Sequence, residues 1–527
     1  MSQTVTYPTT NPTAAAGKSV ITYNGPPADT RAVKRAVVRA RYESDRRNTQ
    51  PIYAGGGVVT VAGSLNASCT KQIFWDASGI ANGATRVATA LEMAGMPVDM
   101  GVPNQGHYIY RSAGVNGFMY VSPVPDPTVI PVGNAQVQVG KYRFRTNSPI
   151  SAIGFYAAGG AVDGYKIYID GQQVSVRPTA AVFIDYVHFS FTDGLYHEIE
   201  IRTSGLFFGV FWNPIYDFVK PDAPDNRLTV YTIGDSYSQP LVFTDAGVAG
   251  GVNVEGLVQQ IEDYLGAGDH YIDAIGGTGF NNRFASGAQA PNNSYLDRLA
   301  SMQRVAASCD LLIIPNGPAN DYFHGWTQAQ CVSAIVQYLA AYRALNPSGT
   351  IVYGAGHTPP SFGAGAQAFY RAVMAQLVTA AAAIGVYYVD NSGWLTGTGF
   401  YGTSSPGPGY NTVSGSNQLT STIGNFGPPN VGQTIVAAPG IPANTKILSV
   451  AGGTGPVATM SATATATATG ITLTTFDNRN GSGNTDWAVG ADGTHCTGLG
   501  YRYLQARFAA KVRKALSDDG TLLNTIL

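Results

Sequence analysis

Charge is what this chain has least of. Asp, Glu, Lys and Arg make up 12% of its 527 residues, about half the share of an ordinary soluble domain. The signs nearly cancel, 31 basic against 32 acidic, leaving a formal net charge of −1. A near-neutral chain has no electrostatic footprint for a phosphate backbone, so no nucleic-acid partner is expected. Low charge is not disorder here, because 44% of residues are hydrophobic and disorder needs low hydrophobicity with high net charge. Cysteine is scarce as well: Cys69, Cys309, Cys331 and Cys496 are scattered along the chain. That is too few for a disulfide framework, and no CxxC pair suggests zinc. Cys309 and Cys331 can pair only if the fold brings their Cβ atoms together. No run of 18 apolar residues exists, so no membrane span is expected. Residues 1–17 lack the charged and apolar segments of a secretory signal. The expectation is a protein that stays where it is made, leaves by cell lysis or is a trimmed form, and that works extracellularly or on a virion.

What the chain has in excess is glycine, 64 residues, about 12% against a usual ~7%. Residues 1–50 read as an extended arm followed by a basic helix. Seven basic residues fall in 31–47, with Val33, Val37, Val38 and Tyr42 near one helical face. This segment is either a solvated helix or a docking helix for an acidic partner, and the N-terminal region is where a homo-oligomer or virion/tail contact would form. Residues 51–130 are Gly-rich with short β-like runs such as 57–62 and 107–111. Residues 131–226 turn to period two: Tyr165, Ile167 and Ile169 alternate with polar neighbours ahead of Asp170-Gly171, and Ile199 and Ile201 follow Thr192-Asp193-Gly194. Short alternating strands between such turns predict an antiparallel β-sandwich resembling a carbohydrate-binding domain. Tyr186, Phe189 and Tyr196 serve either as core or as stacking surfaces for sugars.

After Arg227 the texture changes again. Apolar strands are predicted at 228–233, 271–275, 311–315, 350–354 and 386–389, with helices at 254–265, 295–307, 328–345 and 364–384 between them. Buried strands separated by helices mean βαβ units and a parallel sheet, and five strands suit an α/β flavodoxin-like doubly wound architecture. The first part of this domain spans 227–401. Residues 402–483 break the rhythm and read as a β-rich insertion, since structureless loops of that length are uncommon. The insertion contains a strictly alternating Ser/Thr-Ala run at 461–469, and its stretch 431–450 resembles the threonine-rich β modules of phage tail and bacterial surface proteins. Residues 484–527 close the α/β domain, with a helix at 498–517.

The chemistry gathers at predicted strand ends. The first strand runs into Gly234-Asp235-Ser236, placing Ser236 at the edge where open α/β sheets bind ligands. Such a triplet otherwise simply caps a helix. Asp492-Gly-Thr-His495 lies just before the last helix, and a nucleophilic serine needs a base with an orienting acceptor. The alternative for Asp492 is a helix cap, and for His495 a surface histidine. Gly276-Gly277-Thr278-Gly279 follows the second strand, and Asn316 to Asp321 follows the third. Both can be plain turns, but a glycine N–H and an asparagine amide are the donors an oxyanion requires.

Together these four blocks resemble the SGNH hydrolases, the GDSL esterase/lipase superfamily, over 228–401 and 484–515. The resemblance implies Ser236 as nucleophile, His495 as general base and acid, and Asp492 as its orienting carboxylate. It implies an oxyanion hole from the N–H groups of Ser236 and Gly277 with the Asn320 side chain; Gly279 is the alternative glycine donor. Pro318 stands where the family usually has the glycine of its third block, with Gly317 one residue earlier. No cofactor and no metal is implied, and the seven histidines show no HxxxH spacing. His357 reads as structural or as cleft-lining. The Asn/Gly-rich loop 477–486 does not fit an EF-hand and is left as a turn. A sandwich ahead of such a domain resembles two-domain carbohydrate esterases, so the expected reaction is removal of O-acetyl groups from a polysaccharide. Two other readings stand beside it: a virion tail or surface protein that mainly binds glycan, and a general small-ester or acyl-lipid hydrolase. The second is disfavoured by the lack of a long apolar lid.

Overall fold

The computed structural model describes the strand segments between residues 21 and 219 and most of 229–516; 253–264 and 284–293 are among the stretches outside the described residues. Its central sheet has six strands: Ile21–Asn24 (β1), Thr229–Gly234 (β2), Asp269–Ala274 (β3), Leu311–Ile314 (β4), Thr350–Gly354 (β5) and Val386–Val389 (β6). Their spatial order is β1-β6-β5-β4-β2-β3. β2 to β6 are mutually parallel, while β1 pairs antiparallel with β6, Ile21 opposite Val389. Part of the expected N-terminal arm is therefore an edge strand of the sheet. Sequence pattern missed it because four residues, Ile-Thr-Tyr-Asn, carry too little periodicity.

β4 and β5 are buried along their whole length, as strands covered on both faces must be. Their alternate residues feed two cores. Leu311, Ile313, Val352 and Val389 pack with Leu504, Phe508 and Val512 of helix Gly498–Leu516. Leu312, Ile314, Ile351 and Tyr353 pack with Ile335, Tyr338 and Leu339 of helix Gln328–Leu345 and with Val373 and Leu377 of helix Gly365–Ala380. Helix Gln328–Leu345 starts at a capping box, Thr327 accepting from the Gln330 N–H while Gln330 accepts from the Thr327 N–H. We label Ala319–Phe323 α1, Gln328–Leu345 α2, Gly365–Ala380 α3, Thr485–Ala488 α4 and Gly498–Leu516 α5. No described helix is long and apolar enough to cross a membrane. The helix predicted at 254–265 falls outside the described residues save for Leu265, as does the basic helix at 31–47. Within the one predicted at 295–307, Leu299, Met302 and Gln303 are helical, between turns at 295–298 and the short 3-10 segment Ala306–Ser308.

Before this sheet lie two antiparallel sheets, of five and eight strands. The five-stranded one contains Tyr165–Ile169 and His197–Thr203, joined through buried Ile167, Ile169, Ile199 and Ile201. Asp170 and Gly171 both have positive φ, 51° and 80°, and close a two-residue hairpin of the kind that matches strand twist. The other sheet pairs Val59–Ala62 with Asp185–Phe189 and Lys71–Ile73 with Leu206–Trp212, so strands from 51–130 and from 131–226 share one sheet across the boundary expected at 130. Phe189 is fully buried and so belongs to the core, whereas Tyr196 is 42% exposed with Arg145 over its ring.

Residues 403–477 build a third, eight-stranded antiparallel sheet around Leu419, Ile435, Ile447, Met460 and Leu473. The alternating Ala/Thr run does not behave as a strand until Ala468–Leu473. Alanine offers little area to bury, and the backbone at Ala464 and Thr465 bonds instead to the turns at Ser416 and Gly440. Cys309, Cys331 and Cys496 are buried and form no disulfide, so Cys309 and Cys331 do not pair.

Candidate active site

Strand β2 ends in a tight turn over 235–238. Gly234 is required there, since a Cβ would lie 2.0 Å from the Ser238 hydroxyl. Asp235 is buried and organises the turn. Its carboxylate accepts the Tyr237 N–H at 3.0 Å and its carbonyl the Ser238 N–H at 3.0 Å. The same carboxylate accepts the amides of Asn316 at 2.7 Å and Asn320 at 3.1 Å. Burial pushes the Asp235 carboxyl up to about 6, although these hydrogen bonds and the nearby His495 pull the other way. The half-buried Ser236 sits at the head of this turn, and its N–H takes no part in the turn's hydrogen bonds.

The loop after β3 is fixed from α1. Asp321 is fully buried and accepts three consecutive backbone N–H groups, from Phe280 at 2.7 Å, Asn281 at 2.8 Å and Asn282 at 2.9 Å. Burial raises its carboxyl, and those N–H groups oppose the shift. Gly279 passes so close that a Cβ would fall 2.4 Å from Asp321 Oδ2, and its N–H donates to the Asn282 carbonyl at 3.0 Å. The Gly277 N–H is outside these bonds; its carbonyl accepts the Asn282 amide at 2.7 Å, and its φ is +73°. Of the two glycines, Gly279 is thus tied to the loop itself. After β4, Gly317 (φ +20°) crosses the Ala355 carbonyl, where a Cβ would lie at 2.3 Å. The glycine of this block is therefore needed one residue before the position that Pro318 occupies. Asn320 donates one amide hydrogen to Asp235 and the other to the Thr278 carbonyl at 3.0 Å.

The Asp492–His495 loop is closed by a bridge between Val489 and Cys496 and by the Gly490 N–H on the His495 carbonyl at 2.7 Å. His495 Nδ1 lies 2.5 Å from Asp492 Oδ2, and Asp492 Oδ1 accepts the N–H groups of Thr494 and His495. A carboxylate is acceptor-only, so this pair puts the proton on Nδ1 and leaves Nε2 as the basic nitrogen. Tyr237, next to Ser236, joins the two segments: its hydroxyl donates to the Thr494 carbonyl at 2.5 Å and its ring centroid is 5.9 Å from that of His495. The structure therefore gathers Ser236, Asn320, Asp492 and His495 at one end of the parallel sheet.

Several residues that position this site were missed at the sequence level. Arg298 is buried and pairs with Asp273 at 2.5 Å, and it also reaches the Gly234 carbonyl at 3.3 Å and the Thr278 hydroxyl at 3.2 Å. Asp273 in turn accepts from the Tyr231 hydroxyl at 2.9 Å. Asn316 links Asp235 to the His357 N–H. Asp235 and Asp321 each stood beside a residue already singled out, which was the available signal; nothing marked Arg298. His357 is buried between Tyr237 and Trp394, and burial pushes its imidazole down to about 3. It is a neutral structural histidine, not a lining of the cleft. In the loop 477–486, Asp477 pairs with Arg479 and Asp486 accepts the N–H groups of Asn480 and Gly481. No described group of three acidic, histidine or cysteine side chains is placed to hold a metal.

No protein-family model matches the sequence, and no curated protein does. Among solved structures, the chain is similar to a family two carbohydrate esterase from Clostridium thermocellum in complex with cellohexaose, at 15% identity and TM-score 0.38, covering 48% of this chain and 82% of that one. It is similar to a carbohydrate esterase family 2 enzyme plus carbohydrate binding domain from Corynascus thermopiles (Myceliophthora fergusii), at 17% identity and TM-score 0.36, covering 50% and 88%. It is also similar to a GDSL-like lipase from Bacteroides ovatus, at 12% identity and TM-score 0.33, covering 49% and 74%.

Proposed function

We propose that this chain is a serine esterase of the SGNH hydrolase type, built on a flavodoxin-like sheet, that removes O-acetyl groups from a polysaccharide. The observation that carries the reading is the Asp492–His495 pair held by Tyr237 against the turn that presents Ser236. A carboxylate-oriented imidazole beside a serine at a strand end is the arrangement acyl transfer needs.

In the proposed reaction His495 Nε2 takes the Ser236 hydroxyl proton as Oγ attacks the ester carbonyl. The C–O bond to the alcohol then breaks, His495 returns the proton to the leaving oxygen, and an acyl-Ser236 remains. Water attacks the acyl group by the same route and frees the acid. The N–H groups of Ser236 and Gly277 are assigned to the oxyanion, with Asn320 as third donor. Asn320 can serve by turning one amide hydrogen away from Asp235, whose carboxylate keeps its bond to Asn316. Loss of one such donor costs about 2.7–4 kcal/mol of barrier.

The test is acetate release from p-nitrophenyl acetate and from an acetylated polysaccharide by the wild-type chain and by Ser236→Ala. The variant is expected to lose at least about a thousandfold in kcat. Wild-type turnover no higher than that of Ser236→Ala on either substrate ends the enzyme reading.

A further inference from the structure

The rim beside the candidate site carries a feature the reaction above does not use. Phe323, at the end of α1, is 58% exposed. It lies three residues beyond Asn320, on the same side of the helix. Its ring stacks on Phe362, centroids 5.4 Å apart and planes 29° from parallel, and His324 meets it edge-on at 5.5 Å. Phe362 is half-buried against the cluster of Ala355, Ala366 and Tyr370, which holds it in place. The segment that carries Phe362 is itself fastened to the candidate base: the Ser361 N–H donates to the Gly493 carbonyl at 3.1 Å, and the Ser361 and Thr494 hydroxyls are 2.6 Å apart. A continuous rim thus runs from Asn320 through the two stacked rings to the Asp492–His495 loop.

A single exposed phenylalanine is ordinary on a protein surface. Two stacked rings anchored to both halves of one site are a built surface, flat, rigid and inexpensive in side-chain entropy to order. Which part of an ester meets it follows from the roles of the groups at its ends. The carbonyl oxygen turns toward Asn320, and the leaving oxygen must reach His495. A platform spanning these two lies along the alcohol side of the ester. The alcohol that fits a flat apolar face while keeping its hydroxyls in water is a pyranose ring, which has an apolar C–H face and a polar rim.

We propose that the stacked Phe323–Phe362 pair is the platform on which the pyranose bearing the ester sits during hydrolysis. The inference rests on the esterase reading and deepens it by naming the residues that hold the sugar ring. Its test compares kcat/KM for an acetylated xylo-oligosaccharide with that for ethyl acetate, which has no ring to stack. In Phe323→Ala the ratio of the two is expected to fall roughly five- to tenfold, as for loss of one aromatic contact, mainly through KM; Phe323→Trp restores it. Phe362→Ala lowers the ratio in the same direction, with its melting temperature followed alongside because that ring is half-buried. An unchanged ratio in both alanine variants overturns the platform. Should wild-type hydrolysis fail to exceed that of Ser236→Ala, the esterase reading falls separately, and calorimetric binding of xylohexaose decides the platform by itself. Weaker binding to Phe323→Ala than to the parent chain supports it, and equal or undetectable binding to both overturns it.

Discussion

The parallel sheet and the antiparallel sheet of 403–477 bury different things. The second is a neutral core: apart from its hydrophobic residues it buries Thr412, Ser421, Gln433 and Thr445, side chains that a single turn or strand can satisfy. The parallel sheet and its loops bury Asp235, Asp273, Arg298 and Asp321, all at 3% exposure or less. Burying a charge is costly unless it is paired or hydrogen-bonded, and here every one is used to hold a strand-end loop. In a chain with so few charges, placing four of them inside marks where geometry matters more than stability.

The largest effect should therefore come from breaking the chemistry at that strand end while sparing the core. His495→Ala removes a partly exposed ring that is hydrogen-bonded to Asp492 of its own loop. Esterase turnover is expected to fall by about 10³–10⁴, as for loss of a triad member, with a melting temperature close to that of the parent. A large loss of stability together with activity would make the loop a structural element and weaken the contrast.

Asp321→Ala tests the buried charges themselves. It strands the N–H groups of Phe280, Asn281 and Asn282, which all donate to its carboxylate. Stranded buried donors cost about 1–3 kcal/mol each and relax only in part, so roughly 3 kcal/mol of unfolding free energy should be lost in urea titration. Activity falls with it, because Gly277 and Asn320 lose their fixed relation. A comparable change in the neutral sheet, Thr412→Ala, removes one hydroxyl bond to the Ala466 carbonyl and should cost about 1 kcal/mol. Equal losses in the two variants would erase the distinction between the sheets.

A smaller effect is expected where a charged group is buried away from the site. His197 lies between Asp170 at 2.7 Å and Asp193 at 3.1 Å, with Phe191 stacked on its ring. Burial by itself would lower its imidazole, but the two carboxylates raise it above the ordinary value. The folded protein then holds this proton more tightly than the unfolded chain. The stability it contributes is full below pH about 6.5 and is lost as pH rises through the raised value. Between pH 6 and 9 the wild-type melting temperature of this region should fall by a few degrees, and His197→Gln should flatten that slope. A slope unchanged by the substitution would show that other groups govern it.

How much of this was readable in the sequence divides along the same line. The parallel strands and α2 were legible because Leu311 to Ile314 and Thr350 to Gly354 are unbroken apolar runs, and Thr327-x-x-Gln330 is a cap with a local mechanism. The strand-end placement of Ser236 and the pairing of Asp492 with His495 were legible because each lies in a contiguous motif. Arg298, Asn316 and Tyr237 were not, since each acts through partners 25 to 257 residues away, a separation that leaves no local pattern. The Ala/Thr run shows the converse: its period of two is present in the letters, but the strand begins only at Ala468, since alanine buries too little for the period to dictate one.

The smallest expected effect comes from removing the neutral sheet altogether. Its ends meet: the Asn478 N–H donates to the Gly402 carbonyl at 3.1 Å, and the Phe400 N–H to the Asn478 carbonyl at 3.1 Å. Replacing 403–477 by a two-residue Asn-Gly loop suits antiparallel ends at this spacing. Phe400 and Tyr401, which touch Gly493 and Val489 beside the Asp492–His495 loop, remain in place. Lost with it are the pairing of Asp477 with the exposed Arg479, the Gln433 amide's bond to the Asn478 carbonyl and the packing of Gly432 on Asn480. If the neutral sheet is a self-contained core mounted on the α/β sheet, kcat/KM for p-nitrophenyl acetate should stay within about twofold, since surface changes away from buried features usually alter stability by ~0.5 kcal/mol or less. A tenfold fall in a well-folded excision variant would mean that the neutral sheet shapes the site, and that burying no charge is no guide to taking no part in the chemistry.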